Sequence, residues 1–296
     1  MPALLDSHVH FWDPGQLLYP WLEEHRELRR PHLPKHWLGA LPESRRPGAH
    51  ALFVQADCRP EDALAEAAWV LALADTGAPV AGLVAWAPLS RGAGARPHLE
   101  ALRELPGAGR IRGVRELLQD RPSGTALEPA FLEGIALLAE PGWRFDLCLR
   151  QPQLAEAGEL VRRSPEVLFV LDHLGKPSIE DRAFDAWRRD LDALAALPNI
   201  AAKVSGLLTE APPEKRRLED LRPWLDHLRQ AFGPDRLLFG GDWPVVDLAG
   251  GLAAWTALVE AWSRDWPEEE RTALWCGNAR RIYGLDGAGG TERTPC

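Results

Sequence analysis

Eight short β-rich runs, each followed by a stretch of helical periodicity, recur along the chain, and this beat leaves few folds open. After an N-terminal run from Leu4, strands are predicted over His50–Ala56, Val80–Trp86, Ile111–Leu117, Arg144–Leu149, Val167–Asp172, Ile200–Ser205 and Arg236–Gly241. The pattern between and after them predicts helices over Pro60–Ala74, Pro97–Glu104, Glu128–Glu140, Gln153–Arg163, Ala183–Leu197, Leu218–Phe232, Leu252–Arg264 and Glu268–Tyr283. Parallel strands need helical crossovers, and eight such units close a sheet on itself. The expected fold is therefore α/β, a single (β/α)8 TIM barrel with a C-terminal helix. The competing fold is an open, doubly wound sheet, whose nucleotide-binding version would carry a G-x-G-x-x-G turn after its first strand or a P-loop, and the sequence has neither. A length of 296 residues suits two average domains or one large barrel. The beat favours one domain over residues 1–286, with the Gly/Thr-rich residues 287–296 expected to form a flexible tail.

The first run turns polar and delivers Asp6, His8 and His10. In a strand, residues i and i+2 share a face, so these three are expected on one side. At the C-terminal end of a barrel strand, two imidazoles would stand where such barrels keep their chemistry. The pair alone is equally compatible with two polar residues at a strand end. The segment from Phe11 to Ala49 is long, rich in proline and aromatic residues, and without a clean period. Long irregular loops in compact domains are usually functional or disordered. The aromatic content, with Trp12, Tyr19, Trp21 and Trp37, favours an ordered lid over the histidines.

A net charge of -9 and a pI near 5.5 argue against nucleic acid or an anionic membrane surface as the main partner, since both need a basic face. Nearly half the residues are apolar, which is ample for a large core. Four cysteines without C-x-x-C spacing suggest neither a zinc knuckle nor a disulfide framework. No apolar run approaches the roughly 18 residues of a membrane span, and the N-terminus does not read as a leader. The expectation is a cytoplasmic protein acting on a small molecule.

A closed barrel would gather the polar residues that end its strands at one mouth. They are His8 and His10, Gln55 and Asp57, Arg115 and Glu116, Arg150, Asp172 and His173, Lys203 and Ser205, and Asp242. Asp242 follows two glycines and precedes Trp243-Pro244. Facing three imidazoles, its carboxylate can ligate a metal or act as general base toward water. Taken alone, an Asp at such a place is more often a cap. His173 lies in Asp172-His173-Leu174-Gly175-Lys176-Pro177, where Gly and Pro fix the backbone and Lys176 adds a cation. Arg115 and Glu116 are open to either a substrate role or a structural ion pair, and Lys203 to either function or pairing inside the barrel.

These motifs occur in a fixed order: Asp6-x-His8-x-His10-Phe11-Trp12, Tyr19-Pro20-Trp21-Leu22, Phe53-Val54-Gln55, Gly113-Val114-Arg115, the His173 turn, Lys203-x-Ser205-Gly206-Leu207, Phe239-Gly240-x-Asp242-Trp243-Pro244 and Gly277-Asn278-Ala279-x-x-x-Tyr283. Together they resemble the amidohydrolase superfamily, and within it the branch of sugar-acid and dicarboxylate lactonases. The resemblance runs from Leu4 to Tyr283 and implies a (β/α)8 barrel that hydrolyses an L-fucono-, L-rhamnono- or related aldonolactone. His8, His10, His173 and Asp242 match the branch's active-site positions. Two departures from the wider superfamily matter. The strand-4 lysine that is carboxylated in binuclear members is replaced by Arg115-Glu116, and strand 5 offers no histidine. The resemblance thus implies at most one divalent ion, such as zinc, held by His8, His10, His173 and Asp242, with no metal required.

The resulting expectation is a hydrolase in which Asp242 activates water while His8, His10 and His173 polarise the lactone carbonyl. Arg115, Glu116, Gln55, Lys176, Trp12, Trp21 and Trp243 are the candidate substrate contacts. The rival readings are a metal-dependent decarboxylase or hydratase of the same superfamily, which would want a strand-5 histidine, and a catalytically silent sugar-binding barrel.

Overall fold

The computed structural model describes residues 2–180 and 183–285, so the tail expected from Gly287 lies outside the described residues. Strands β1 (Leu5–Val9), β2 (His50–Val54), β3 (Val80–Trp86), β4 (Ile111–Arg115), β5 (Arg144–Leu147), β6 (Phe169–Leu171), β7 (Ile200–Val204) and β8 (Leu237–Phe239) lie in one sheet in sequence order. Every neighbouring pair is parallel. Residues just past β8 close the ring onto β1. The Asp242 N–H donates to the His8 carbonyl at 2.8 Å and the His10 N–H to the Trp243 carbonyl at 2.8 Å. This is the expected (β/α)8 barrel.

Helix α1 (Pro34–Ala40) lies inside the long loop after β1. Helices α2 (Ala63–Asp75), α3 (Arg96–Glu104), α4 (Pro129–Ala136), α5 (Leu154–Arg163) and α6 (Phe184–Ala195) connect successive strands from β2 to β7. The short α7 (Leu207–Glu210) and the long α8 (Leu218–Phe232) link β7 to β8, and α9 (Leu252–Trp262) follows. The last predicted helix is interrupted. A π-helical turn, Ala273–Gly277, separates α10 (Glu268–Thr272) from α11 (Asn278–Tyr283). Leu274, Trp275 and Cys276 are all buried there, more consecutive positions than one α-helical face turns inward, and the wider turn accommodates them.

Strands covered on both faces read as near-continuous apolar runs, and these do. On the outer face Phe145 sits between Phe131 of α4 and Phe169 of β6, with ring centroids 5.9 and 6.0 Å away. Truncating such a ring costs about 3–5 kcal/mol. Inside the barrel Leu5, Leu52, Val84, Val170, Ala201 and Leu238 pack with Ala279, Ile282 and Tyr283 of α11. The C-terminal helix thus closes the N-terminal end of the barrel.

One local expectation fails. The β1–β2 register slips between Asp6 and Val9. Leu5 packs with the interior cluster, Asp6 bonds outward to the Gly241 N–H and the Trp37 indole, and His8 returns to the interior. Asp6 therefore does not share a face with His8 and His10, because an irregularity in a strand resets its two-residue phase. The loop after β1 is ordered. Trp12 and His32 exchange backbone hydrogen bonds of 3.0 and 2.8 Å, and Trp12, Tyr19, Leu22 and Leu28 form a small core of their own against Ala56, Cys58 and Ala63. Among the described residues, no helix is long and apolar enough to cross a membrane.

Candidate active site

Five non-glycine residues have positive φ among the described residues, and all lie just past β2, β6 or β8: Asp57 (57°), His173 (54°), Leu174 (55°), Lys176 (46°) and Asp242 (53°). Side chains there cost of order 1–3 kcal/mol each and persist where the surroundings over-determine them. Two glycines leave the needed room. A Cβ on Gly206 (φ +67°) would lie 2.5 Å from His173 Nδ1, and one on Gly241 would lie 2.4 Å from Asp6 Oδ2. The strained exits and the glycines beside them direct His173 and Asp242 toward His8 and His10.

Asp242 Oδ1 lies 3.5 Å from His10 Nε2 and 3.8 Å from His8 Nε2, and its Oδ2 lies 4.0 Å from His173 Nδ1. The rings of His8 and His10 are 4.9 Å apart, those of His8 and His173 4.5 Å. His10 Nδ1 is 2.8 Å from the Val54 carbonyl, which accepts its proton and leaves Nε2 toward Asp242. An imidazole lone pair and a carboxylate that close repel unless a proton or a cation lies between them. His173 Nδ1 lies 2.9 Å from Ser205 Oγ, and the same oxygen accepts the His173 backbone N–H at 3.3 Å. With the Ser205 hydroxyl donating to Nδ1, the ring proton of a neutral His173 lies on Nε2, free to donate.

Beneath these residues runs a buried charge network. Lys203 Nζ lies 3.0 Å from His8 Nδ1 and 3.0 Å from Asp172 Oδ1, and it also pairs with Asp146 Oδ2. Asp172 Oδ2 accepts from Arg115 Nη1 at 3.1 Å, and Arg115 Nη2 donates to the Gln55 carbonyl at 2.7 Å. Tyr283 of α11 donates to Asp146 Oδ1 at 2.7 Å. Paired in this way, buried charges avoid the cost of an uncompensated ion.

These neighbours set the protonation states. Burial opposes the charge on Asp242, but His173, the contact with His10 and the nearby His8 more than offset it and hold its carboxyl well below the usual range. Burial pushes His173 down to about 4, and Lys176 and Arg115 add to that. Burial also drives His8 well below an ordinary imidazole. The mouth therefore presents an ionised carboxylate with neutral His8 and His173 at pH 7. The arrangement is one base among hydrogen-bonding imidazoles.

The sequence profile of the Amidohydrolase family matches residues 5–285. The chain belongs to the amidohydrolase family. It is 37% identical over 295 residues to the L-fucono-1,5-lactonase of Burkholderia multivorans, covering 95% of this chain and 96% of that one. It is 24% identical over 233 residues to the L-rhamnono-gamma-lactonase of Scheffersomyces stipitis, covering 70% and 69%. A crystal structure of an amidohydrolase from Burkholderia multivorans with bound zinc superposes with a TM-score of 0.83 at 35% identity, over 96% of this chain and 99% of that one.

This amidohydrolase has a donor set that fits one divalent ion. His8, His10 and Asp242 each offer a ligand atom, and these atoms lie within 4.8 Å of one another. Two imidazole nitrogens and a carboxylate with an open side make a catalytic type of site, and the bond from His10 Nδ1 to Val54 supplies the outer support such ligands need. His8, Asp172 and His173 form a second such group, but Asp172 is already engaged by Arg115 and Lys203. Arg115 Nη1 lies 3.4 Å from His8 Nε2, so a permanent cation stands beside the imidazole pair.

The remaining sequence-chosen residues divide. The buried Nε2 of Gln55 and Nε of Arg115 have no hydrogen-bond partner among the described residues. Lys176 reaches Gln119, and the part-buried Trp21 donates to the Ala56 carbonyl at 2.9 Å. Glu116 points elsewhere: it accepts from Ser90 at 2.7 and 2.8 Å and from Arg121 at 2.9 Å. Trp12 is wholly buried in the loop core with its indole N–H on Leu28, and Trp243 packs between Phe11 and His32. Asp146 of the network has no role in the sequence reading, and Tyr283 enters it only as the end of the Gly277-Asn278-Ala279-x-x-x-Tyr283 motif, with no site role given.

Proposed function

We propose that this amidohydrolase opens a sugar lactone, of the aldonolactone class that includes L-fucono-1,5-lactone, to the free sugar acid. The observation that carries the reading is the Asp242 carboxylate, kept ionised beside His8, His10 and His173 at the mouth of the barrel. The 37% identity to an L-fucono-1,5-lactonase supports the substrate class.

Asp242 takes a proton from water as the water oxygen attacks the lactone carbonyl carbon, and the carbonyl π electrons move onto oxygen. With Ser205 donating to its Nδ1, neutral His173 carries its proton on Nε2 and donates it to that oxyanion. Donors of this kind contribute about 2.7–4 kcal/mol each. The tetrahedral centre then collapses, the bond to the ring oxygen breaks, and Asp242 returns its proton to that oxygen. A divalent ion held by His8, His10 and Asp242 would add Lewis-acid polarisation of the carbonyl. In this reading His10 orients Asp242 through Nε2, and Lys176 and the partly exposed Trp21 receive sugar hydroxyls and the apolar ring face. The decarboxylase reading finds no strand-5 histidine to support it, since Leu149 and Arg150 follow that strand.

A pH-indicator screen of aldono-1,4- and 1,5-lactones tests the proposal. Acid release from at least one aldonolactone, well above the spontaneous rate, is expected. Saturable binding of lactones without turnover across the panel would instead favour the silent sugar-binding barrel.

A further inference from the structure

At the N-terminal end of the barrel, opposite the mouth, an open cavity of about 330 Å³ is lined by Arg103, Arg112 and Arg144 together with Ile111, Pro141 and Trp143. No aspartate or glutamate is among the described residues that line it, although the whole protein carries a net charge of -9. The three arginines are unequally engaged. Arg103 pairs with Glu140 at 2.7 Å at the exposed rim, and Arg144 gives Nε to the Ile282 carbonyl and Nη1 to the Gly142 carbonyl. Among the described residues, Arg112 keeps a buried Nε with no hydrogen-bond partner. Burial and the charge of Arg144 both hold its guanidinium below its ordinary pKa, and no carboxylate of the described residues offsets them.

A half-buried cation facing another cation is costly without an anion. The guanidinium fork matches phosphate oxygens two at a time, which gives both charge and geometry to such a ligand. Ile111, Pro141 and Trp143 add apolar residues to the lining. A bare ion would leave them wet, whereas an organic group attached to the anion would cover them. A few hundred Å³ with a small number of polar groups is the range of small-molecule sites.

We propose that this cavity binds a small phosphate monoester, with the phosphate on Arg112 and Arg144 and the organic part against Trp143 and Pro141. The site is separate from the lactone chemistry and stands whether or not that reading holds.

The test is an NMR titration of the full-length protein at constant ionic strength, following the indole ¹⁵N–H resonance that disappears in Trp143→Phe. Glycerol 3-phosphate should shift it saturably at a dissociation constant on the order of 1 mM or below, near 4 kcal/mol of binding. Inorganic phosphate should bind at least threefold more weakly, and glycerol should not bind. Arg112→Met should weaken the ester at least tenfold with lactone turnover unchanged. A wild-type resonance that stays still, or shifts without saturating, overturns the site, and this outcome does not depend on the variant folding. Equal affinity for inorganic phosphate overturns the monoester assignment, and undiminished binding by Arg112→Met overturns the role of Arg112.

Discussion

Lys203 Nζ lies 3.0 Å from His8 Nδ1 and pairs with both Asp146 and Asp172, so one buried ammonium joins the floor of the barrel to the first imidazole of the site. Lys203→Met leaves two buried carboxylates short of a cation. Breaking one partner out of a buried pair costs about 3–5 kcal/mol. Urea unfolding should show a loss of that order, and an unchanged midpoint would mean that Lys203 is not what compensates these acids.

The pH dependence follows from two downward shifts, one on an acid and one on a base. Asp242 is held well below the usual carboxylate range, so it stays ionised as pH falls through the acidic range. His173 is pushed down to about 4 by burial, so its neutral, donating form also survives. kcat/KM should therefore be flat from neutral pH down to the neighbourhood of 4 and fall only below it. An acid limb centred near 6.5, the ordinary imidazole value, would show that His173 titrates as if exposed.

Metal dependence turns on the cations around His8. Arg115 Nη1 at 3.4 Å from Nε2 and Lys203 at 3.0 Å from Nδ1 raise the cost of a further positive charge there. An ion on His8, His10 and Asp242 should exchange out on dialysis against a chelator, with lactone turnover retained within about threefold because a positioned base and oxyanion donors remain. The check is metal analysis beside the assay. A stripped protein that is inactive and recovers with added zinc would contradict this.

Away from the reacting atoms, Glu66 on α2 is wholly buried and accepts from the Ala56 N–H at 3.2 Å. Burial raises its pKa from 4.5 to about 8. The unfolded chain releases this proton near 4.5 and the folded chain near 8, so folding takes up a proton between those values and stability falls as pH rises through that window. Glu66→Gln removes the titration. Its Tm minus that of the wild type should rise from pH 4.5 to 8 and level off above, and a difference constant with pH would contradict the shift.

The barrel was legible in the sequence because its evidence is local: eight β-rich runs, each with its own helix. The convergence of His8, His10, His173 and Asp242 followed once each strand end was assigned to one mouth. Other features were not local. Asp146 sits 57 positions from Lys203, and a lone acid in Arg144–Leu147 reads equally as a solvent-facing residue. The slip in β1 that turns Asp6 outward leaves no mark in an alternating Asp-x-His-x-His. Trp12 looked like a ligand platform because aromatic content cannot tell a residue that faces a ligand from one that holds its own loop together. Arg115 and Glu116 are consecutive at a strand end, and the structure gives the interior to Arg115 alone.

Asp242→Asn is the most direct test. The substitution keeps the side chain's shape and removes its ability to take a proton, so kcat/KM on the preferred aldonolactone should fall by about 10²- to 10⁴-fold in a protein with the wild-type circular-dichroism spectrum. A folded Asp242→Asn variant that turns the lactone over at the wild-type rate would contradict the central role given to this carboxylate.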